Sequence, residues 1–268
     1  MTPPSVFDEA ASRKLEAVYN TPDIASQRRQ TLQRLALQQG SSVIDIGSGP
    51  GILLADMAEV VGPEGHATGI DLSDSMLALT ARRFSSSPLQ DRVSFLKADA
   101  TRLPFQEASF DAAVSTQVYE YVPDIQLALA ELYRVLCPGA RALILDTDWD
   151  SIVWNATDEA LMRRVLSLWT RRFAHPHLPR TLSHLLRAAG FQVLGREVFV
   201  VFNPEYDPNT YSLANADIMA DFVGPLGLSP DEVHAWTQDL RDLGGSGRYF
   251  FSLNRYLFLA VKPNPDRT

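Results

Sequence analysis

Cysteine is all but missing from this 268-residue chain, where Cys137 stands alone. One thiol excludes an intrachain disulfide and any cysteine-rich zinc site. Positive charge is also short, with 24 Lys and Arg against 32 Asp and Glu and a net charge of -8. Nucleic-acid phosphates need a concentrated basic surface. The Arg pairs at 28/29, 82/83, 163/164 and 171/172 fall on expected helices as solvated faces, so DNA and RNA are excluded as partners. No apolar run approaches membrane-spanning length, and residues 1–5 are polar and proline-rich without a targeting pattern. A soluble, cytoplasmic protein without a membrane partner is the expectation. There is no internal repeat and no low-complexity segment. At 46% hydrophobic residues, the chain can bury one large core, or a core plus a cap.

What the chain does have is the stretch VIDIGSGPG at 43–51. Val43-Ile44-Asp45-Ile46 suits a buried strand, and glycines at 47, 49 and 51 let the backbone turn sharply while a ligand approaches. The helix expected at 52–60 points its N-terminus at that ligand. The dinucleotide fingerprint needs glycine at position 52, which is Ile52, and a Walker A loop needs Gly-Lys-Ser/Thr, which is missing. The segment resembles motif I of the class I S-adenosylmethionine-dependent methyltransferases, D/E-x-G-x-G-x-G, matched by Asp45, Gly47, Gly49 and Gly51 around Ser48. An acid at the strand end suits a cationic ligand, since Asp45 attracts an ammonium directly or through water.

A second strand, His66-Ala67-Thr68-Gly69-Ile70-Asp71, ends in an acid placed to hold a ribose diol, with Leu72 beside it. Ser73 and Asp74 begin a helix whose Met76 covers one face of an adenine. A third strand, Val93-Ser94-Phe95-Leu96, leads into DATRLPFQEASFDAAVS at 99–115. This string is similar to the ubiquinone/menaquinone C-methyltransferase type of small-molecule methyltransferase, D-A-x-x-L-P-F-x-x-x-S-F-D. The resemblance implies that Asp99 accepts from the adenine amino group while the Ala100 amide faces the ring. It further implies that Thr116 and Gln117 line the methionine and ribose end. By the same resemblance Tyr19 sits beside the sulfonium and Arg28 pairs with the methionyl carboxylate; a surface tyrosine and a helix-face arginine are the bland alternatives. Arsenite methyltransferases share this core, but they need several cysteines.

Strand and helix alternate over 42–146, which predicts a parallel, doubly wound sheet. The expected fold is α/β, a Rossmann-like doubly wound seven-stranded sheet with an antiparallel last strand. Helices at 8–19 and 22–39 make residues 1–40 an N-terminal helical lid. The methyltransferase core spans 41–202 and 248–263, with later helices at 157–174 and 179–189 and final strands at 191–202 and 249–261. Between those strands, residues 203–247 form a helical insertion with helices near 210–223 and 230–243. A substrate-covering cap and a dimerisation arm both account for it.

Methyl transfer is an in-line displacement from sulfonium sulfur, and a phenolic or acidic-carbon acceptor needs a general base. His175 and His177, in the proline-flanked segment 174–180, are the leading candidates, followed by Asp148; both histidines also suit turn or cap roles. A metal on them is not expected, because neither a carboxylate nor a third histidine has ligand spacing. Trp149, Tyr121, Tyr206 and Tyr211 are the candidate walls of an acceptor pocket. The function expected is S-adenosylmethionine-dependent transfer of a methyl group to a small aromatic or lipophilic metabolite, leaving S-adenosylhomocysteine. A monomer or homodimer serves equally well. The rival is a protein that binds the same cofactor without transferring its methyl.

Overall fold

A computed structural model describes residues 9–264. The first eight positions, including the polar start at 1–5, lie outside the described residues. Two helices open the chain, α1 (Glu9–Tyr19) and α2 (Pro22–Leu35). The second stops four residues before the expected end because Ala36 turns left-handed at φ 53°. Five parallel strands follow: β1 (Ser42–Ile46), β2 (His66–Asp71), β3 (Val93–Lys97), β4 (Phe110–Thr116) and β5 (Leu136–Thr147). Their crossovers include α3 (Ile52–Val61), α4 (Asp74–Phe84) and α5 (Ile125–Val135). Ser73 caps α4 by accepting from the Met76 amide at 3.3 Å, and Asp124 caps α5 by accepting from Leu127 at 3.0 Å.

The sheet order is β3-β2-β1-β4-β5-β8, where β8 (Phe251–Val261) runs antiparallel to β5 with Thr147 opposite Arg255. The long β7 (Gln192–Asn203) pairs antiparallel along the other side of β8. One strand more than the expected seven is present, the two-residue β6 (Val153–Trp154), which extends the β5 side of β8. Strand β5 begins six residues earlier than the apolar run alone suggested. Leu136 pairs with Phe110, after which the register shifts before Ala112 meets Arg141, and Gly139 within that irregularity is left-handed at φ 83°.

Helix α6 (Glu159–Trp169) gives way to a tight turn at Thr170–Arg172, short of the expected end at 174. Helix α7 (Pro179–Ala188) leads into β7. Residues 203–247 hold α8 (Tyr211–Val223) and α9 (Pro230–Gly245), the latter opened by a reciprocal Ser229/Glu232 capping box. Among the described residues no helix is long and apolar enough to cross a membrane.

Two apolar layers flank the sheet, one under α5 and α7 and one under α3. A third cluster lies past the carboxyl end of β5 and joins Val18 of α1 to Trp149, Trp154, Trp169, Met219 of α8, Trp236 of α9 and Phe251 of β8. Asp23 of α2 reinforces it by accepting from Asn203 Nδ2 at 2.9 Å and from the Tyr211 amide at 3.0 Å. Lys14 of α1 also pairs with Asp221 of α8. The N-terminal helices and the insertion therefore meet over one end of the sheet, where ligands bind in open α/β folds. Phe251 is 1% exposed and meets Trp154 edge-on at 4.9 Å, tying this cluster to β8. Phe251→Ala should lower the unfolding free energy by about 3–5 kcal/mol in denaturant titrations. A loss below about 1 kcal/mol would mean that the cluster contributes little to folding.

Candidate active site

The three loop glycines all adopt left-handed backbone, with φ of 74° at Gly47, 53° at Gly49 and 74° at Gly51. Their reasons differ. A Cβ on Gly47 would lie 2.2 Å from Val118 Cγ2, and one on Gly51 would lie 2.9 Å from Thr80 Cγ2. At Gly49 the nearest atom is Tyr19 Cε2 at 3.7 Å, so it is backbone conformation and the open space before it that require glycine there. Asp71 fixes the loop: its Oδ2 accepts from the Gly49 amide at 2.9 Å and its Oδ1 from Ser73 at 2.8 Å. Thr80 of α4 donates to Gly49 O at 2.8 Å. Burial raises the Asp71 pKa, against the pull of these backbone donors.

In front of the loop lies a cavity of about 430 Å³. Tyr19, Gly47, Gly49, Asp71, Leu72, Met76, Asp99, Ala100, Thr116 and Gln117 line it. Asp99 Oδ1 accepts from the Thr101 amide and hydroxyl, both at 2.8 Å. Gln117 sits at φ 60°, unusual for a side-chain-bearing residue. Its amide donates to Leu145 O at 2.7 Å, and its Oε1 accepts from Thr147 Oγ1 at 2.6 Å.

A second cavity of about 60 Å³ lies behind the loop, lined by Arg28, Asp45, Ser48 and Arg255 together with Tyr19, Gly49 and Gln117. Asp45 Oδ1, Ser48 Oγ and Arg255 Nε are buried there without hydrogen-bond partners. Burial, and the neighbouring Asp71 charge, push the Asp45 carboxyl up to about 8. Arg28 is partly committed, with Nε on Asp56 Oδ2 at 2.7 Å and one terminal nitrogen on Tyr19 O at 3.0 Å.

The other end of the large cavity is aromatic. Tyr121, Trp149 and Tyr211 line it, joined by Trp169, Ile218 and Asn215. Trp149 stacks on Phe173 at 4.4 Å and donates Nε1 to Glu120 Oε2 at 2.9 Å. Arg172 lies 5.1 Å over the Trp169 ring and donates to the Tyr121 hydroxyl at 3.3 Å. Glu120, 1% exposed, also borders the cavity, and burial raises its carboxyl to about 7.

Five candidate residues line neither cavity, and of these Gly51 packs against Thr80 and Phe84 of α4. Tyr206 is 37% exposed and packs its ring edge-on against Tyr249 at 5.6 Å. His175 ties down the loop before α5, its backbone amide donating to Glu120 O at 2.9 Å and its Nε2 to Pro123 O at 3.1 Å. His177 donates to Asp148 at 3.1 Å. Asp148 also receives Arg180 Nε at 2.7 Å and a terminal nitrogen at 2.9 Å. Burial pushes the Asp148 pKa up, but the Arg180 and His177 hydrogen bonds outweigh it and hold it below its ordinary value. A carboxylate so held is a poor proton acceptor, and neither histidine borders either cavity. The fold does supply carboxylates beside His177, since Asp148, Asp150 and His177 converge within 4.8 Å. Arg180 reaches Asp150 at 2.7 Å as well, so its guanidinium already pairs with both acids.

Residues 44–144 match a family model described as a methyltransferase domain. A demethylmenaquinone methyltransferase from Listeria monocytogenes serotype 4a is 34% identical over 148 residues, 55% of this chain and 62% of that protein. The chain thus spans less than two thirds of the curated relatives it matches first. Haemonchus contortus phosphoethanolamine N-methyltransferase 2, solved with phosphomonomethylethanolamine and S-adenosylhomocysteine, has a TM-score of 0.64 at 21% identity over 97% of this chain and 59% of its own. The [4+2]-cyclase SpnF has a TM-score of 0.61 at 23% identity over 90% and 82%. These structural likenesses bear on the fold.

Folding raises the pKa of Asp45 from 3.8 to about 8 and that of Glu120 from 4.5 to about 7. A raised folded value contributes stability that is complete below the unfolded value and is lost as pH rises through the folded one. Between about pH 4 and 8 these two groups therefore make the free protein less stable as pH rises, and Asp45→Asn flattens the upper part of that slope. Denaturant titrations across this range check it; an unchanged slope in the variant contradicts the burial of an unpartnered Asp45.

Proposed function

We propose that this chain, whose residues 44–144 match a methyltransferase domain, transfers a methyl group from S-adenosylmethionine to a small aromatic or lipophilic acceptor. One observation carries the reading: a single cavity joins the glycine loop, Asp71 and Asp99 to a chamber walled by Tyr121, Trp149, Trp169 and Tyr211. When bound, the cofactor supplies an electrophilic methyl on a sulfonium.

The chain's own residues do the rest. Each Asp71 oxygen accepts one backbone amide and retains lone pairs for the ribose hydroxyls. Asp99 Oδ2 and the Ala100 amide read the adenine edge, with Met76 and Leu72 on the ring faces. Unpartnered Asp45 receives the amino-acid ammonium, which relieves the cost of its burial. Tyr19, reached from α1, closes the junction between the two halves, and Leu15 and Val18 help exclude water. Holding donor and acceptor in line at about 3–3.5 Å supplies much of the acceleration. Glu120, with one oxygen fixed by Trp149, replaces the histidines as the group that takes the acceptor's proton.

Calorimetry with S-adenosylmethionine and S-adenosylhomocysteine, followed by a product assay over aromatic and amine acceptors, tests this. Binding with methylation of an aromatic acceptor is expected. Binding without turnover favours a cofactor-binding protein, and turnover confined to polar amines rejects the aromatic chamber. In the same titrations Gly49→Val should abolish binding by intruding on the cofactor's space. Asp71→Ala should weaken it by about 1–3 kcal/mol through a lost charged hydrogen bond. Unchanged affinity in both variants contradicts the assignment of the site.

A further inference from the structure

Arg255 is the only residue of β8 that borders both cavities. It is 3% exposed, yet its Nε has no hydrogen-bond partner. One terminal nitrogen donates to the neutral Gln27 amide oxygen at 3.0 Å, and the guanidinium lies 4.6 Å over the Tyr211 ring. Among the described residues it forms no ion pair. The carboxylates nearest it do not close on it: Glu120 accepts from Trp149, and Asp146 of β5 accepts from the Val118 amide at 3.1 Å through Oδ1 while its Oδ2 is buried without a partner. A buried guanidinium always carries its charge, and a neutral amide with one aromatic face compensates it only in part. Such a group is complete only with an anion.

We propose that Arg255 anchors an oxyanion site at the junction of the two cavities, and that its ligand is a carboxylate. The site rests on the methyltransferase reading, which offers two sources for that group. One is the amino-acid head of the cofactor: Asp45 Oδ1 and Arg255 Nε, both buried without a partner, border a cavity of about 60 Å³ and complement the ammonium and the carboxylate of a zwitterionic head group. The other is an acid group on the acceptor, presented from the aromatic chamber. In the first case Arg28, already held by Asp56, is the lesser carboxylate partner; in the second it keeps the cofactor's carboxylate. Because the guanidinium also rests on Gln27 of α2 and Tyr211 of α8, the bound anion is held where the N-terminal helices meet the insertion.

Four probes on the full chain separate the sources. S-adenosylhomocysteine and 5′-methylthioadenosine share a nucleoside, but only the first has the amino-acid head. 1-Hydroxy-2-naphthoate and its amide, titrated into protein saturated with S-adenosylhomocysteine, differ in the acid group alone. If the cofactor supplies the carboxylate, Arg255→Gln weakens S-adenosylhomocysteine by about tenfold or more, the worth of a charged hydrogen bond. Methylthioadenosine then stays within about twofold, and Arg255→Lys recovers part of the loss. If the acceptor supplies it, S-adenosylhomocysteine is unchanged and the naphthoate loses its advantage over the amide. The proposal is overturned if neither acid-bearing probe weakens, or if methylthioadenosine and the amide weaken equally, which marks a structural role. Wild-type protein that binds neither nucleoside removes the methyltransferase reading itself, and this site with it.

Discussion

The carboxylate of Asp71 holds two loops at once, and the shape of the site depends on it. By accepting from Gly49 and Ser73 it joins the turn after β1 to the turn after β2. Neither loop has a regular ladder at that point, so these bonds substitute for one. Gly47 lies so close to Val118 that the loop after β4 must follow the same surface. Three strand ends are thereby locked together, and the cavity is what remains in front of them.

The ionisable groups in the cavity wall and beside it obey no packing rule. Asp45, Glu120, Asp146 and Arg255 are all nearly or fully buried, and three of the four carry a polar atom without a partner. Buried charges cost stability unless paired, so chains retain them where a ligand completes the pairing. That cost also explains the architecture above the sheet. The aromatic cluster of α1, α6, α8, α9 and β8 keeps water from groups whose acidity depends on its exclusion, and it joins the N-terminal helices to the insertion.

Much of the cofactor half was legible because its residue types are dictated locally. Left-handed turns call for glycine at 47, 49 and 51, and an acid at the end of β2 is read directly from the strand's edge. The acceptor half was less so. Glu120 lies in a tight turn, Tyr119–Tyr121, which has no period to reveal which side chain faces inward. His175 and His177 were attractive for their chemistry, but their direction depends on partners more than fifty and about thirty residues away, Pro123 and Asp148. Arg255 did leave a signal: Phe251, Leu253, Arg255 and Leu257 alternate on the buried face of β8, and an arginine in that phase marks a charge inside the protein. The two-residue β6 and the early start of β5 arise from pairing with distant strands, which no local pattern encodes.

The central claim is that one cavity holds an adenosyl cofactor at the glycine loop with its sulfur turned toward the aromatic chamber. A crystal structure of the full chain with S-adenosylhomocysteine tests it most directly. The account predicts the ribose hydroxyls on Asp71, the adenine between Met76 and Leu72 with its amino group toward Asp99, and the sulfur facing Glu120 and Trp149. A nucleoside bound elsewhere, or bound here with its sulfur turned away from that chamber, would contradict it.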